Sequence, residues 1–136
     1  MATALLSLAG LAFGAAIGLY GLLDPRWAAR LVRLREDGPG GFSEFRATFG
    51  GLFLASQAAG LVFVGAHLLG VTALGGAPVI GLALGAVTVC GLMWIGTGLA
   101  RVASMALDGT DTPYHRVAVG VEFFMGAVIL SLWLSV

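Results

Sequence analysis

The chain has 136 residues, of which 59% are hydrophobic and 10% charged, with a mean hydropathy of +1.00. Soluble domains carry about a quarter charged residues, so this composition excludes an ordinary globular core and describes a small integral membrane protein. Seven arginines balance seven acids without a lysine, which speaks against a nucleic-acid partner, and the single Cys90 excludes an intramolecular disulfide or a cysteine metal cluster.

Four stretches are long enough to cross roughly 30 Å of hydrocarbon, for which about 20 apolar residues suffice. They lie at about 4–23, 45–69, 78–107 and 113–135, and residues 1–136 read as one four-helix domain. The first has no basic segment before it and exceeds the roughly 7–15 apolar residues of a signal peptide, so it reads as a retained helix. It ends at Asp24-Pro25, where a side-chain cap and a fixed φ predict a short helix over about 25–36. Trp27, Leu31 and Leu34 fall on one face of that helix, and Arg26, Arg30 and Arg33 on another. The pattern predicts an amphipathic helix in the headgroup layer, with Arg26, Trp27, Arg30 and Arg33 contacting lipid. A plain solvated loop is the alternative.

Gly38-Pro39-Gly40-Gly41 then breaks the chain, with Ser43 as N-cap of the second span and Glu44 against its dipole. Residues 70–77 form a short uncharged turn, after which Pro78 suits the first position of the third span. Asp108-Gly109-Thr110-Asp111 offers oxygen ligands but lacks the rest of a calcium loop, and reads as a turn. Thr112 then caps the fourth span ahead of Pro113.

All fourteen charged side chains lie in the 24–43 and 105–112 links or the helix halves adjoining them. None lies near the termini or the 70–77 turn. Seven arginines against zero predict that both charged links face the cytoplasm and both termini the outside.

Small and polar residues form a stripe on each span. The first carries Ser7, Gly10, Gly14, Gly18 and Gly21; the second Arg46, Gly50, Gln57, Gly60 and His67. The third carries Cys90, Trp94, Thr97, Arg101, Ser104 and Asp108; the fourth His115, Glu122, Gly126 and Ile129. Small residues let membrane helices approach and polar ones hydrogen-bond across them, so the stripes face inward. Arg101 and Glu122 stand about ten and eleven residues from the turn between their helices, which puts them at nearly one depth. An ionised group at a helix centre costs about 2.5–3.5 kcal/mol, and pairing compensates. The expectation is a buried Arg101–Glu122 pair, with Arg46 close enough to join, in a polar cluster that includes Gln57 and Ser104.

That cluster is either a structural pin that fixes helix order and register, or a lined cavity for a lipid headgroup, a quinone-like molecule or a proton. Ser104 reads as a helix–helix hydrogen bond, and no nucleophile stands beside a base, so no catalytic residue is assigned. His67 and His115 fall at opposite membrane faces and cannot share a ligand; interfacial polar contacts are expected of each. Neither a metal nor a cofactor is expected.

Glu44-Phe-Arg46-Ala-Thr-Phe-Gly50-Gly51 opens the second span, Arg101-Val-Ala-Ser104-Met-Ala-Leu-Asp108-Gly109 closes the third, and Glu122 falls inside the fourth. Together they resemble a bacterial family of four-helix membrane proteins catalogued as a domain of unknown function. Ala100 departs from the pattern, which has Gly before the arginine, and so does the Arg-rich first link. The resemblance implies the fold and the cluster residues, and a bacterial cytoplasmic (inner) membrane.

The sequence thus predicts an all-α membrane protein, a four-transmembrane-helix bundle with a short interfacial amphipathic helix between helices 1 and 2. The expected role is a non-enzymatic accessory or scaffold protein. Its partners are the lipid bilayer and a larger membrane complex or a second copy of itself. The alternative is a binder or transporter of a small ligand built on the polar cluster.

Overall fold

The computed structural model describes residues 1–35 and 38–136. Helix α1 spans Ala2–Leu23, α2 Pro25–Val32 and α3 Gly38–Phe45. A π-helix over Arg46–Leu52 joins α3 to α4, Phe53–Leu68. A small ribbon of β1, Ala73–Leu74, and β2, Ala77–Pro78, leads into α5, Val79–Leu107. Helix α6, Pro113–Leu130, ends in a 3-10 turn over Ser131–Ser135.

Four helical segments are long and apolar enough to cross a membrane: Ala2–Leu23, Gly40–Leu68, Val79–Leu107 and Pro113–Ser135. The fold is an all-α, multi-pass membrane bundle. Helix α1 packs on α4 and α6, α4 on α5, and α5 on α6, which closes the ring. Leu11, Val64, Ala83, Val87, Cys90, Ile129 and Leu132 fill its centre. Leu5, Phe13, Val62, Val89, Leu99 and Phe124 point outward, where hydrocarbon rather than water is their natural solvent.

The small-residue face of α1 is buried along its whole length, at Ser7, Gly10, Gly14, Gly18 and Gly21. At its start the Ser7 hydroxyl donates to the Ile129 carbonyl at 2.8 Å and accepts from the Leu132 amide at 3.0 Å. Those bonds fasten the beginning of α1 to the end of α6. A short side chain is needed for both.

Several local features differ from the sequence expectation. The Asp24 carboxylate caps α2 by accepting from the Arg26 and Trp27 amides, and Pro25 opens the helix. That helix stops at Val32, however, because Arg33 turns left-handed with φ 58° and its amide closes onto the Ala29 and Arg30 carbonyls. Leu34 therefore leaves the amphipathic face, and position 36, the expected end, lies outside the described residues. The glycines and proline of 38–41 begin α3 rather than breaking the chain, so Ser43 sits inside a helix and caps nothing. Pro78 closes the ribbon and precedes α5, its ψ of 124° being extended and not helical. Gly75 and Gly76, at φ 57° and 82°, make the two-residue turn that pairs Leu74 with Ala77.

Thr112 caps α6 through the His115 amide, with Pro113 as the first helical residue. One position further, the Tyr114 hydroxyl donates to the Leu31 carbonyl while the Arg33 guanidinium lies 3.8 Å over the Tyr114 ring. Helix α2 is thereby tied to the start of α6, and Ala28 and Ala29 pack against Phe45 on its other side. Both charged links come together at one end of the bundle.

Candidate functional site

Arg101 stands six residues, about 9 Å, inside the end of α5, and Glu122 about 13 Å inside the start of α6. The Arg101 Nε donates to both Glu122 oxygens at 3.0 and 3.1 Å, and its Nη2 donates to Oε1 at 2.5 Å. This forked contact is the strong geometry of a guanidinium on a carboxylate. Gly98 lies against it: a Cβ there would be in ordinary contact, 3.4 Å from the Glu122 Cβ and from the Phe123 ring. Glu122 is shut away, its side chain 7% exposed, whereas Arg101 keeps 26%.

The exposed flank of Arg101 lines a groove of about 250 Å³ with Thr97, Ala100, Ser104, Thr110 and His115. The sequence stripe placed Thr97 and Ser104 toward a neighbouring helix. Instead the buried line of α5 runs through Trp94 and Gly98, and Thr97 is exposed, bonded to its own helix at the Met93 carbonyl. Among the described residues Ser104 likewise makes no helix–helix bond, since its hydroxyl donates to Asp108 one turn on. His115 donates from Nδ1 to the Thr110 carbonyl at 2.5 Å and so secures the α5–α6 turn. Beside it Arg116 grips Asp111 through two bonds of 2.7 Å, and that contact holds the Asp111 carboxyl below the usual carboxylate range. His67 lies half-buried at the other end of the molecule.

Arg46 does not join the Arg101–Glu122 pair. Its Nε donates to the Leu22 carbonyl at 3.3 Å, across the α1 side of the bundle. There a cleft of about 180 Å³ opens between Leu23, Asp24, Pro25, Arg26, Phe42 and Arg46. The cause is the π-helix, which the period of three and four residues does not anticipate. Its only sequence sign is the pair Gly50-Gly51. Gly50 and Gly21 let the π-helix and the end of α1 touch backbone to backbone: a Cβ on Gly50 would meet the Leu22 Cα at 2.7 Å.

Gln57 is fully buried against α1, where a Cβ on Gly14 would meet its Cδ at 2.8 Å. Neither its Nε2 nor its Oε1 has a hydrogen-bond partner among the described residues, and the same holds for the Trp94 indole. An unpaired buried amide costs about 1–3 kcal/mol. Gln57→Met keeps the volume without the polar atoms, and is expected to raise the melting temperature in mild detergent. A lowered melting temperature would mean that the amide is satisfied and structural.

The remaining sequence-selected residues surround α2. Arg26 lies 5.5 Å over the Phe42 ring, Trp27 packs 5.2 Å from Tyr20, and the Arg30 Nη2 is 3.6 Å from the Asp24 carboxylate. Among the described residues no group of three metal-ligating side chains converges.

A family model described as a domain of unknown function (DUF4345) matches residues 1–134, and the chain belongs to that family. No curated protein and no solved structure matches it.

Proposed function

We propose that this member of the family is a non-enzymatic accessory or scaffold protein of the bacterial cytoplasmic membrane, docked on a larger membrane complex. The observation that carries the reading is the direct, forked contact between Arg101 and Glu122, which leaves no ligand-sized space between the two charges. A closed pair of this kind pins α5 to α6 and fixes the register of the bundle. Open glycines supply a second support. A Cβ on Gly65, Gly81 or Gly85 would meet nothing within 4 Å, so these flat patches can accept a helix of another protein.

The charged links face the cytoplasm in this reading and both termini face outward, following the seven arginines gathered at one end. The groove beside Arg101, Ser104 and His115 favours a second reading, a binder of a small polar ligand. Purification in a gentle detergent separates the two. The scaffold reading expects stoichiometric co-migration with a defined complex, lost in a Gly81→Leu/Gly85→Leu variant that still folds. A solitary oligomer carrying a bound small molecule would replace it with the binder. A C-terminal reporter active in the cytoplasm would overturn the orientation.

A further inference from the structure

We propose that the cleft between the end of α1, the start of α2 and the π-helix is a binding site for the phosphate of an anionic glycerophospholipid, gripped by Arg26 and Arg46.

Two cations enter this cleft from different elements, and each is positioned by a separate contact. Arg26 lies over the Phe42 ring, its Cζ 5.5 Å from the centroid, and its guanidinium N–H groups make no hydrogen bond among the described residues. Arg46 is anchored by one bond from its Nε to the Leu22 carbonyl, and its two Nη groups make no hydrogen bond among the described residues. Such a pair of forks matches the oxygens of a phosphodiester. The acid in the cleft is already committed. One Asp24 oxygen accepts from the Arg26 and Trp27 amides and the other faces Arg30, so the first amides of α2 are closed to a ligand and side chains must do the binding.

The backbone that presents Arg46 is itself unusual. Seven residues of π-helix begin at Arg46, and π segments inside α-helices recur at functional sites because they re-aim a side chain at the expense of regular bonding. Here the segment swings against α1 through Gly21 and Gly50 and sets Arg46 beside Leu22 instead of facing Arg101 and Glu122.

The surroundings select a lipid over a free anion. The cleft sits where a membrane span ends, and Leu23, one of its walls, is 69% exposed. Tyr20, exposed and packed on Trp27, marks the interfacial aromatic level just beneath. An acyl chain leaving the cleft would continue down the apolar side of α1 past Leu19 and Tyr20.

Native mass spectrometry of the full chain in detergent tests the site with dioctanoyl phosphatidylglycerol, dioctanoyl phosphatidylcholine and inorganic phosphate as probes. Phosphatidylglycerol is expected to bind with one dominant stoichiometry, and Arg26→Gln/Arg46→Gln to weaken it at least about tenfold, the loss of two charge-assisted contacts. Arg35→Gln, which removes one charge from the same link away from the cleft, is expected to change it less than about threefold. Thermal melting shows that each variant is folded, and if the double variant is not, Arg46→Gln alone carries the comparison. Equal binding of phosphatidylglycerol by wild type and folded variant overturns the proposal. So does displacement of the lipid by equimolar inorganic phosphate, which would make the site one for a free anion, and so does phosphatidylcholine binding as tightly.

Discussion

Arg101→Leu is expected to destabilise the bundle by about 3–5 kcal/mol, because it leaves the Glu122 carboxylate buried without its partner. Glu122→Leu should cost less. The Arg101 side chain is a quarter exposed and sits about 9 Å from the end of its helix, so a released guanidinium can snorkel toward the headgroups. Glu122 has a shorter stem and lies deeper, enclosed by Gly98 and Phe123, and has no such exit. Arg101→Leu/Glu122→Leu should recover most of the loss, since a buried pair replaced by apolar groups of similar volume is often neutral. The charge-reversed double variant, Arg101→Glu/Glu122→Arg, should likewise fold better than either single reversal. Thermal melting of wild type, the four single variants and the two doubles in one detergent gives the coupling energy between the two positions. If both doubles are no more stable than their worse single variants, the contact does not hold the helices together.

How much of this is legible in the sequence differs between the α5–α6 hairpin and the start of the second span. Depth and pairing of Arg101 and Glu122 follow from counting residues outward from a turn with clear helix boundaries, Asp108-Gly109 and Thr112-Pro113. Counting works because both helices keep a regular rise across that interval. Arg46 is expected near the pair from the spacing of its stripe and lies elsewhere, since the π-helix from Arg46 to Leu52 alters the turn on which that spacing depends. The α5 stripe holds at Cys90, Trp94 and Arg101 and fails at Thr97 and Ser104 for a subtler reason. Cys90, Trp94 and Gly98 share the buried line, while Thr97 and Ser104 satisfy their hydroxyls within their own helix and gain nothing from facing inward. Local chemistry follows from the sequence where one side chain decides it, as at the Asp24 and Thr112 caps. It does not at 38–43, where helix α3 forms over glycines and a proline that carry no helix preference, against Ala28 and Ala29 of α2 through Phe45.

The glycines of the spans should split into classes of opposite sign when each is changed to alanine. Alanine in a helix is worth about 0.5–1 kcal/mol over glycine when the added methyl meets nothing. That is the case at Gly65, Gly81 and Gly85, so those variants should equal or slightly exceed wild type in thermal stability. At Gly18 the added carbon would stand 2.4 Å from the Leu54 amide nitrogen, and at Gly21 2.5 Å from the Phe49 carbonyl oxygen. Both obstacles are backbone, which cannot rotate away, so α1 must move off the π-helix and α4. A net loss of about 2–3 kcal/mol is expected at each, the upper part of the overpacking range. Gly10 and Gly14 belong between the classes, because their nearest atoms, the Ile129 Cγ1 and the Gln57 Cδ, belong to side chains and not to backbone. The order from most to least harmful should therefore be Gly18 and Gly21, then Gly10 and Gly14, then the open sites. A melting temperature for Gly18→Ala at or above that of Gly81→Ala would contradict a backbone-to-backbone contact between α1 and α4. Gly21→Ala carries an additional consequence, since displacing the end of α1 also removes the Leu22 carbonyl that anchors Arg46. Its phosphatidylglycerol binding should fall together with its stability, whereas Gly10→Ala, at the far end of the same helix, should lose stability alone.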